Sequence, residues 1–285
     1  MIQPEYRTLD EVLTKRLFRI PNYQRFYSWG KTERKYLFDD IGKLFNQKDS
    51  ERHHFMATLV FLKPIKSKTP VGTDEFTTLD IVDGQQRLTT LIVLLKVIQI
   101  FLEKSDKKEA DKLQDTLIKE SDQRLILLQT NHDSQNILLN YLKESIKPHK
   151  TSIQTIPDNN LLDAFIECEK YVKDNWIDKR DRDVIDLLKL IKNRLSFIFY
   201  QLDDEGAVYT VFEVLNSRGL EVDCLDKCKS LLMGIVFEEY FQKEAASENI
   251  NMLHSTWSKI YRLIGLKNMG LLENLWVKNI SILFN

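Results

Sequence analysis

A chain of 285 residues with 43% hydrophobic and 29% charged residues, only 9 Gly and 6 Pro, is long enough for one large or two modest domains with a sizeable core. Its net charge of −1 excludes a global field that would draw nucleic acid or an acidic membrane, so any polyanion contact must come from a local patch. Three cysteines, Cys168, Cys224 and Cys228, are an odd set without a disulfide framework and point to a reducing, cytoplasmic setting.

Residues 1–5 lack the basic and then apolar run of a signal peptide. Residues 8–17 are expected to form a short helix, with Leu9, Val12, Leu13 and Leu17 near one face. Residues 18–29 are expected as a loop or edge strand dense in aromatics and arginine, with Pro21 holding Ile20 extended. Between residues 15 and 35 stand seven basic residues (Lys15, Arg16, Arg19, Arg25, Lys31, Arg34, Lys35) against one acid, Glu33. This local +6 has two readings: a phosphate-facing patch with aromatics that stack on a base, or a solvated face whose aromatics fill the core. Composition alone favours the second.

Residues 32–46 read as an amphipathic helix with Tyr36, Leu37, Ile41, Leu44 and Phe45 inward. Residues 54–62 read as a buried strand. His53 and His54 would point to opposite faces and have no partner ligands at suitable spacing, which argues against a metal. Residues 63–76 are expected as a hairpin connection, and residues 77–82 as the next strand.

The stretch from 79 to 102, LDIVDGQQRLTTLIVLLKVIQIFL, runs from strand through a sharp Asp83-Gly84 turn into a helix apolar on nearly every side. Lys96 and Gln99 interrupt it, and its apolar part is too short for a bilayer, which needs roughly 20 residues. The open end of a buried helix presents free N–H groups, a glycine and Arg87 at one spot, an anion-friendly arrangement. It is neither a Walker A loop nor a Rossmann fingerprint. A competing reading makes Asp83 an N-cap and Gln86 its reciprocal partner in a capping box.

Residues 103–193 read as a helical stretch, with helices over 103–124, 134–143, 161–176 and 181–192 and a loop over 145–160. Its charge runs are expected to be solvated faces. Residues 194–202 read as a strand, 206–215 as a short helix, and Asn216 to Leu220 as a turn carrying Arg218 and Gly219. Cys224 and Cys228 sit one turn apart on the next helix and read as small core residues. The last helices end on an apolar stretch without a clear cap, as expected of a piece cut from a longer protein.

Three motifs stand in order: Ile20-Pro21-x-Tyr23-Gln24-Arg25-x-Tyr27-x-Trp29, then Val82-Asp83-Gly84-Gln85-Gln86-Arg87-Leu88-Thr89, then Phe212-Glu213-x-x-Asn216-Ser217-Arg218-Gly219 with Asp226 and Lys229. Together they resemble the N-terminal domain of GmrSD-type, modification-dependent restriction proteins, over roughly residues 1–100 and 195–235. The resemblance implies an α+β fold: a small mixed sheet with helices, similar to the ParB and sulfiredoxin fold group, plus a larger all-helical region. The implied organisation is a nucleotide-binding part over 1–102, a helical subdomain over 103–193, a strand–helix return over 194–235, and C-terminal helices over 236–285 that precede a nuclease domain.

By resemblance, Gln24 and Arg25 help bind a nucleotide, and Gly84, Gln85, Gln86 and Arg87 cradle its phosphates. Asn216 and Arg218 close the site. Asp83 and Arg87 carry the catalysis, with Asp83 holding Mg²⁺ or orienting water. The expected substrate is an NTP, with Mg²⁺ as cofactor. The expected partners are modified DNA, reached through the full-length protein, a C-terminal HNH-type nuclease domain and a second copy in a homodimer; no membrane is expected. The chain departs from the family in two places. None of its five histidines (His53, His54, His132, His149, His254) stands in an HNH context, and Met56-Ala57 replaces a frequent Leu-Gly pair. The expected function is an NTP-hydrolysing module of a phage-defence restriction protein. The alternatives are a non-hydrolytic nucleotide or DNA sensor controlling a nuclease, and a helical scaffold in which DGQQR is only a cap.

Overall fold

A computed structural model describes residues 5–22, 24–46, 53–119, 124–129, 137–177 and 183–203, with isolated helical positions at 232, 249, 252, 255, 256, 259 and 260. The described chain opens with strand β1 (Glu5–Thr8) and helix α1 (Leu9–Leu13). Thr8 and Glu11 form a reciprocal capping box at the start of α1. The helix expected over 8–17 stops early, because Lys15 takes a positive φ of 49° and the chain leaves as strand β2 (Arg16–Ile20). Sheet pairing outweighs helical periodicity here: β2 is not an edge but lies between two parallel neighbours.

Helix α2 (Lys31–Asn46) follows, then strands β3 (His54–Leu62), β4 (Lys68–Val71) and β5 (Asp74–Asp83). The expected 63–76 connection is a hairpin that contains β4, turned at Gly72 with φ 59°. On α2, Leu37, Ile41 and Leu44 are buried and Phe45 packs against the core, but Tyr36 faces outward.

Helix α3 (Gln85–Ser105) is buried as its composition demands and packs against the three helices α4 (Lys107–Leu117), α6 (Ile156–Trp176) and α7 (Val184–Arg194). Lys96 is buried in it without breaking the polar rules, donating to Gln99 Oε1 and Gln114 Oε1 at 2.9 Å each. The expected helical stretch also contains strands β6 (Ile118–Lys119), β7 (Arg124–Leu125) and β8 (Leu127–Gln129), before helix α5 (Ile137–Glu144). β8 adds to the main sheet beside β2, so runs of two or three residues acquire strand form through their partners. Helix α6 begins within the expected loop, where Thr155 accepts from the Asp158 N–H and Pro157 stands in the first turn.

Strand β9 (Leu195–Leu202) completes the sheet in the order β1-β9-β3-β5-β2-β8, with β4 paired to β5. The α+β class expected from the sequence is correct. β2 and β5 run parallel, and β3 runs antiparallel to β5 and parallel to β9. The carboxyl ends of β2 and β5 and the amino end of β3 therefore open on one side. Loops at the carboxyl ends of parallel strands are where open sheets bind ligands. Among the described residues no helix is long and apolar enough to cross a membrane.

Candidate functional site

A cleft of about 370 Å³ lies on that side, within the roughly 300–1,000 Å³ usual for small-molecule sites. Two β-bulges border it. Met56 is the extra residue where β3 slips against β9, and Val82 is the extra residue where β5 slips against β3; both line the cleft. The bulge at Val82 disturbs the ladder at the end of β5, and Gln24 repairs it. Its buried amide nitrogen donates to Ile81 O at 3.0 Å and to Val82 O at 2.6 Å.

The turn after β5 is built around Gly84. Its φ of +88° lies in the left-handed region, and an added Cβ would sit 2.3 Å from Leu59 Cδ2 on β3. The glycine thus serves strand packing as well as the turn. Gly84→Ala is expected to cost about 1–2 kcal/mol for backbone conformation and about 1–3 kcal/mol for overpacking against the fully buried Leu59. Chemical denaturation measures it; a wild-type midpoint would show that the turn relaxes freely.

Gly84, not Asp83, occupies the N-cap position of α3, and among the described residues no side chain caps the helix. The expected capping box is therefore incorrect. The Asp83 carboxylate accepts from the Gly84 N–H instead, and Gln86 turns to the 25–29 loop. Gln86 accepts from the Ser28 N–H at 2.8 Å and donates to Phe26 O at 3.0 Å, while Gln85 donates to Arg25 O at 2.8 Å. Tyr27 adds a hydroxyl bond to Thr90 at 2.9 Å. Thr90 spends its own proton on Gln86 O, so Tyr27 is the donor. The first and second sequence motifs are thus clamped directly to each other.

The clamp brings Arg25, Asp83 and Arg87 to one cleft. Burial pushes the Asp83 carboxyl above its ordinary value, while the Gly84 N–H, Arg87 and Arg25 pull it back in part. Burial lowers the Arg87 guanidinium from its ordinary value, opposed by Asp83 and Asp40. Arg87 also lies over the Trp29 ring, 5.5 Å from its centroid.

The local basic run resolves mostly into structural pairs. Arg19 makes a forked pair with Asp80 at 2.6 and 2.7 Å, Lys35 pairs with Asp39 at 2.9 Å, and Lys15 lies 3.4 Å from Asp74. Arg16 bonds backbone carbonyls and covers the Phe199 ring. Arg34 is buried between α2 and α6, forked onto Glu167. Phe26, Tyr27 and Trp29 are buried, so core filling accounts for these aromatics, and of the basic run only Arg25 lines the cleft.

Sequence reasoning missed the α2 wall. Glu33, Tyr36 and Asp40 line the cleft from positions one turn and two turns apart. The signal was available: acids three before and four after Tyr36 mark its stripe as polar rather than core. Asn216 and Arg218 lie outside the described residues, as do Cys224 and Cys228. β9, which precedes them, runs away from the cleft side.

Among the described residues no group of three or more His, Cys, Asp or Glu is placed to hold a metal ion. A single carboxylate, Asp83, beside an open helix end still suits Mg²⁺, which binds through one or two carboxylates plus substrate phosphates.

Comparison with curated proteins gives no match. Residues 9–233 match the family described as the GmrSD restriction endonuclease, N-terminal domain. That span covers well over half of the 285 residues. With the two motifs clamped at one cleft, the match places the chain: it belongs to the family of GmrSD restriction endonuclease N-terminal domains.

Proposed function

We propose that this chain is the NTP-binding and NTP-hydrolysing module of a modification-dependent DNA restriction protein. One observation carries the reading: the uncapped N-terminus of α3 at Gly84 opens beside Arg25, Arg87 and Asp83 in a single cleft. Free helix N–H groups and two guanidinium groups neutralise polyphosphate charge, most strongly in a partly dewatered site. Asp83 orients the attacking water or contacts Mg²⁺. The metal, when bound, would neutralise charge on the transferring phosphoryl oxygens. Arg87, braced against Trp29, holds a fixed position for phosphate.

The phosphate turn at the end of a mixed-sheet strand supports the likeness to the ParB and sulfiredoxin fold group. In this organisation residues 1–102 and 194–235 build the site and residues 103–193 support it. The full-length protein would couple turnover to an HNH-type nuclease acting on modified DNA in the cytoplasm, where phage DNA arrives.

Calorimetry with NTPs and Mg²⁺, with and without DNA, followed by a phosphate-release assay, tests this. Binding with release is the expected result. Binding without release, DNA present or not, makes the chain a sensor instead, and no binding at millimolar NTP leaves a scaffold.

A further inference from the structure

The α2 wall differs in chemistry from the rest of the cleft. Its two charged groups are carboxylates, Glu33 and Asp40, whereas the guanidinium groups of Arg25 and Arg87 come from the 25–29 loop and α3. Glu33 accepts from the Gly30 N–H, and Asp40 pairs with Lys43 at 3.1 Å and lies 3.8 Å from His54, so both are fixed acceptors rather than loose charges. Phosphates are repelled from such a wall, and hydrogen-bond donors are attracted to it. Between these carboxylates stands Tyr36, 64% exposed although it lines the cleft, whereas Trp29 is 8% exposed with Arg87 over its ring. Among the described residues, Tyr36 is thus the aromatic in the cleft with a ring open to a ligand.

A second observation points the same way. Gln85 is 4% exposed and lines the cleft, and its Oε1 is buried with no hydrogen-bond partner among the described residues. Its Nε2 is fixed on Arg25 O, so Oε1 is held as an acceptor. A buried acceptor of this kind calls for a donor. A ribose, which joins phosphates to a base, carries hydroxyl donors.

Resting on the nucleotide reading above, we infer that α2 forms the nucleoside half of the site. The base stacks on Tyr36, Asp40 and Glu33 accept from donors of the base or sugar, and Gln85 Oε1 accepts from a ribose hydroxyl. Tyr36 is then a specificity-determining residue for nucleotide over bare polyphosphate.

The test is calorimetry on this full chain with ATP, GTP, CTP and UTP, and separately with inorganic tripolyphosphate, Mg²⁺ present throughout. The tightest of the four nucleotides is then taken to Tyr36→Ala, Tyr36→Phe and Arg87→Ala. Tyr36→Ala is expected to weaken that nucleotide by about 5- to 150-fold, the range of a lost base stack, with tripolyphosphate binding left unchanged. Tyr36→Phe should bind as wild type, and Arg87→Ala should weaken both ligands. Unchanged nucleotide binding by Tyr36→Ala, alongside loss in Arg87→Ala, overturns the inference and leaves the phosphate site standing. Equal weakening of nucleotide and tripolyphosphate by Tyr36→Ala also overturns it. A wild-type chain that binds neither ligand overturns the nucleotide reading and this inference together.

Discussion

Asp83→Asn is expected to stop NTP hydrolysis while making the folded chain more stable at neutral pH. Asparagine keeps the shape and the acceptor for the Gly84 N–H, and loses only the charge. Without that charge the site can neither orient water strongly nor hold Mg²⁺, and loss of one such preorganised group costs on the order of 10²-fold or more in rate. The stability gain follows from the raised carboxyl. Burial holds the proton on Asp83 to a higher pH in the folded chain than in the unfolded one. The folded state binds more protons in that window, so ionising Asp83 destabilises it. The destabilisation is absent below the unfolded value and complete above the folded value. The Tm gain of the variant should thus be full at neutral pH and shrink as pH falls toward the ordinary aspartate range. For the same reason, the acid limb of wild-type hydrolysis should lie above that range. Phosphate release and a pH series of thermal melts measure both halves. Full turnover in the purified variant removes Asp83 from the chemistry. A lower Tm at neutral pH would mean that Arg87 and Arg25 outweigh burial.

Arg34→Ala should damage stability as severely as the loss of a large core side chain. Arg34 is 1% exposed, and its guanidinium donates to Glu167 at 2.8 and 3.0 Å, to Asn160 O at 3.2 Å and to Trp29 O. Removing it strands a carboxylate and two carbonyls and leaves a void, for a loss of about 3–5 kcal/mol by denaturation. The control is Arg34→Met with Glu167→Leu. Replacing a buried pair by apolar groups of similar size is often neutral, so much of the stability should return. The bond to Trp29 O would not return, and Trp29 braces Arg87. NTP affinity should therefore stay reduced in the refolded double variant. Wild-type affinity there would confine Arg34 to a purely structural role.

Arg34 also shows where sequence reading stops. In the sequence it is one of seven basic residues in a +6 run; in the fold it is the most deeply buried of them. Its side-chain partner Glu167 and the Asn160 carbonyl stand more than 120 positions away on α6, and nothing local marks them. Asp80 hides in the same way inside an apolar strand until β2 lies parallel to β5 and brings Arg19 opposite. Short strands such as β8 carry too few residues for a period, and only pairing with β2 defines them. By contrast, α3 and β5 were legible from their apolar runs, and the Asp83-Gly84 break marked where strand becomes helix; β3 was legible as a strand, although only its carboxyl half, from Leu59 to Leu62, is buried as expected.

By itself, the sequence determined the buried helix with an open, arginine-bearing N-terminus, and it carried the motifs whose family resemblance implied the α+β class. These are local properties, set by hydrophobic period and by residue types at short spacing. The tertiary structure alone decided how the two glutamines of DGQQR are used. They hold the 25–29 loop against α3, so that Arg25 and Trp29 stand beside Asp83 and Arg87. It also decided that Gly84 rather than Asp83 occupies the N-cap position, which leaves the helix end open, and that Tyr36 faces the cleft rather than the core. Each of these outcomes depends on which distant backbone or side chain arrives as a partner. Sheet pairing between strands some 60 residues apart sets that arrival, and no local pattern encodes it.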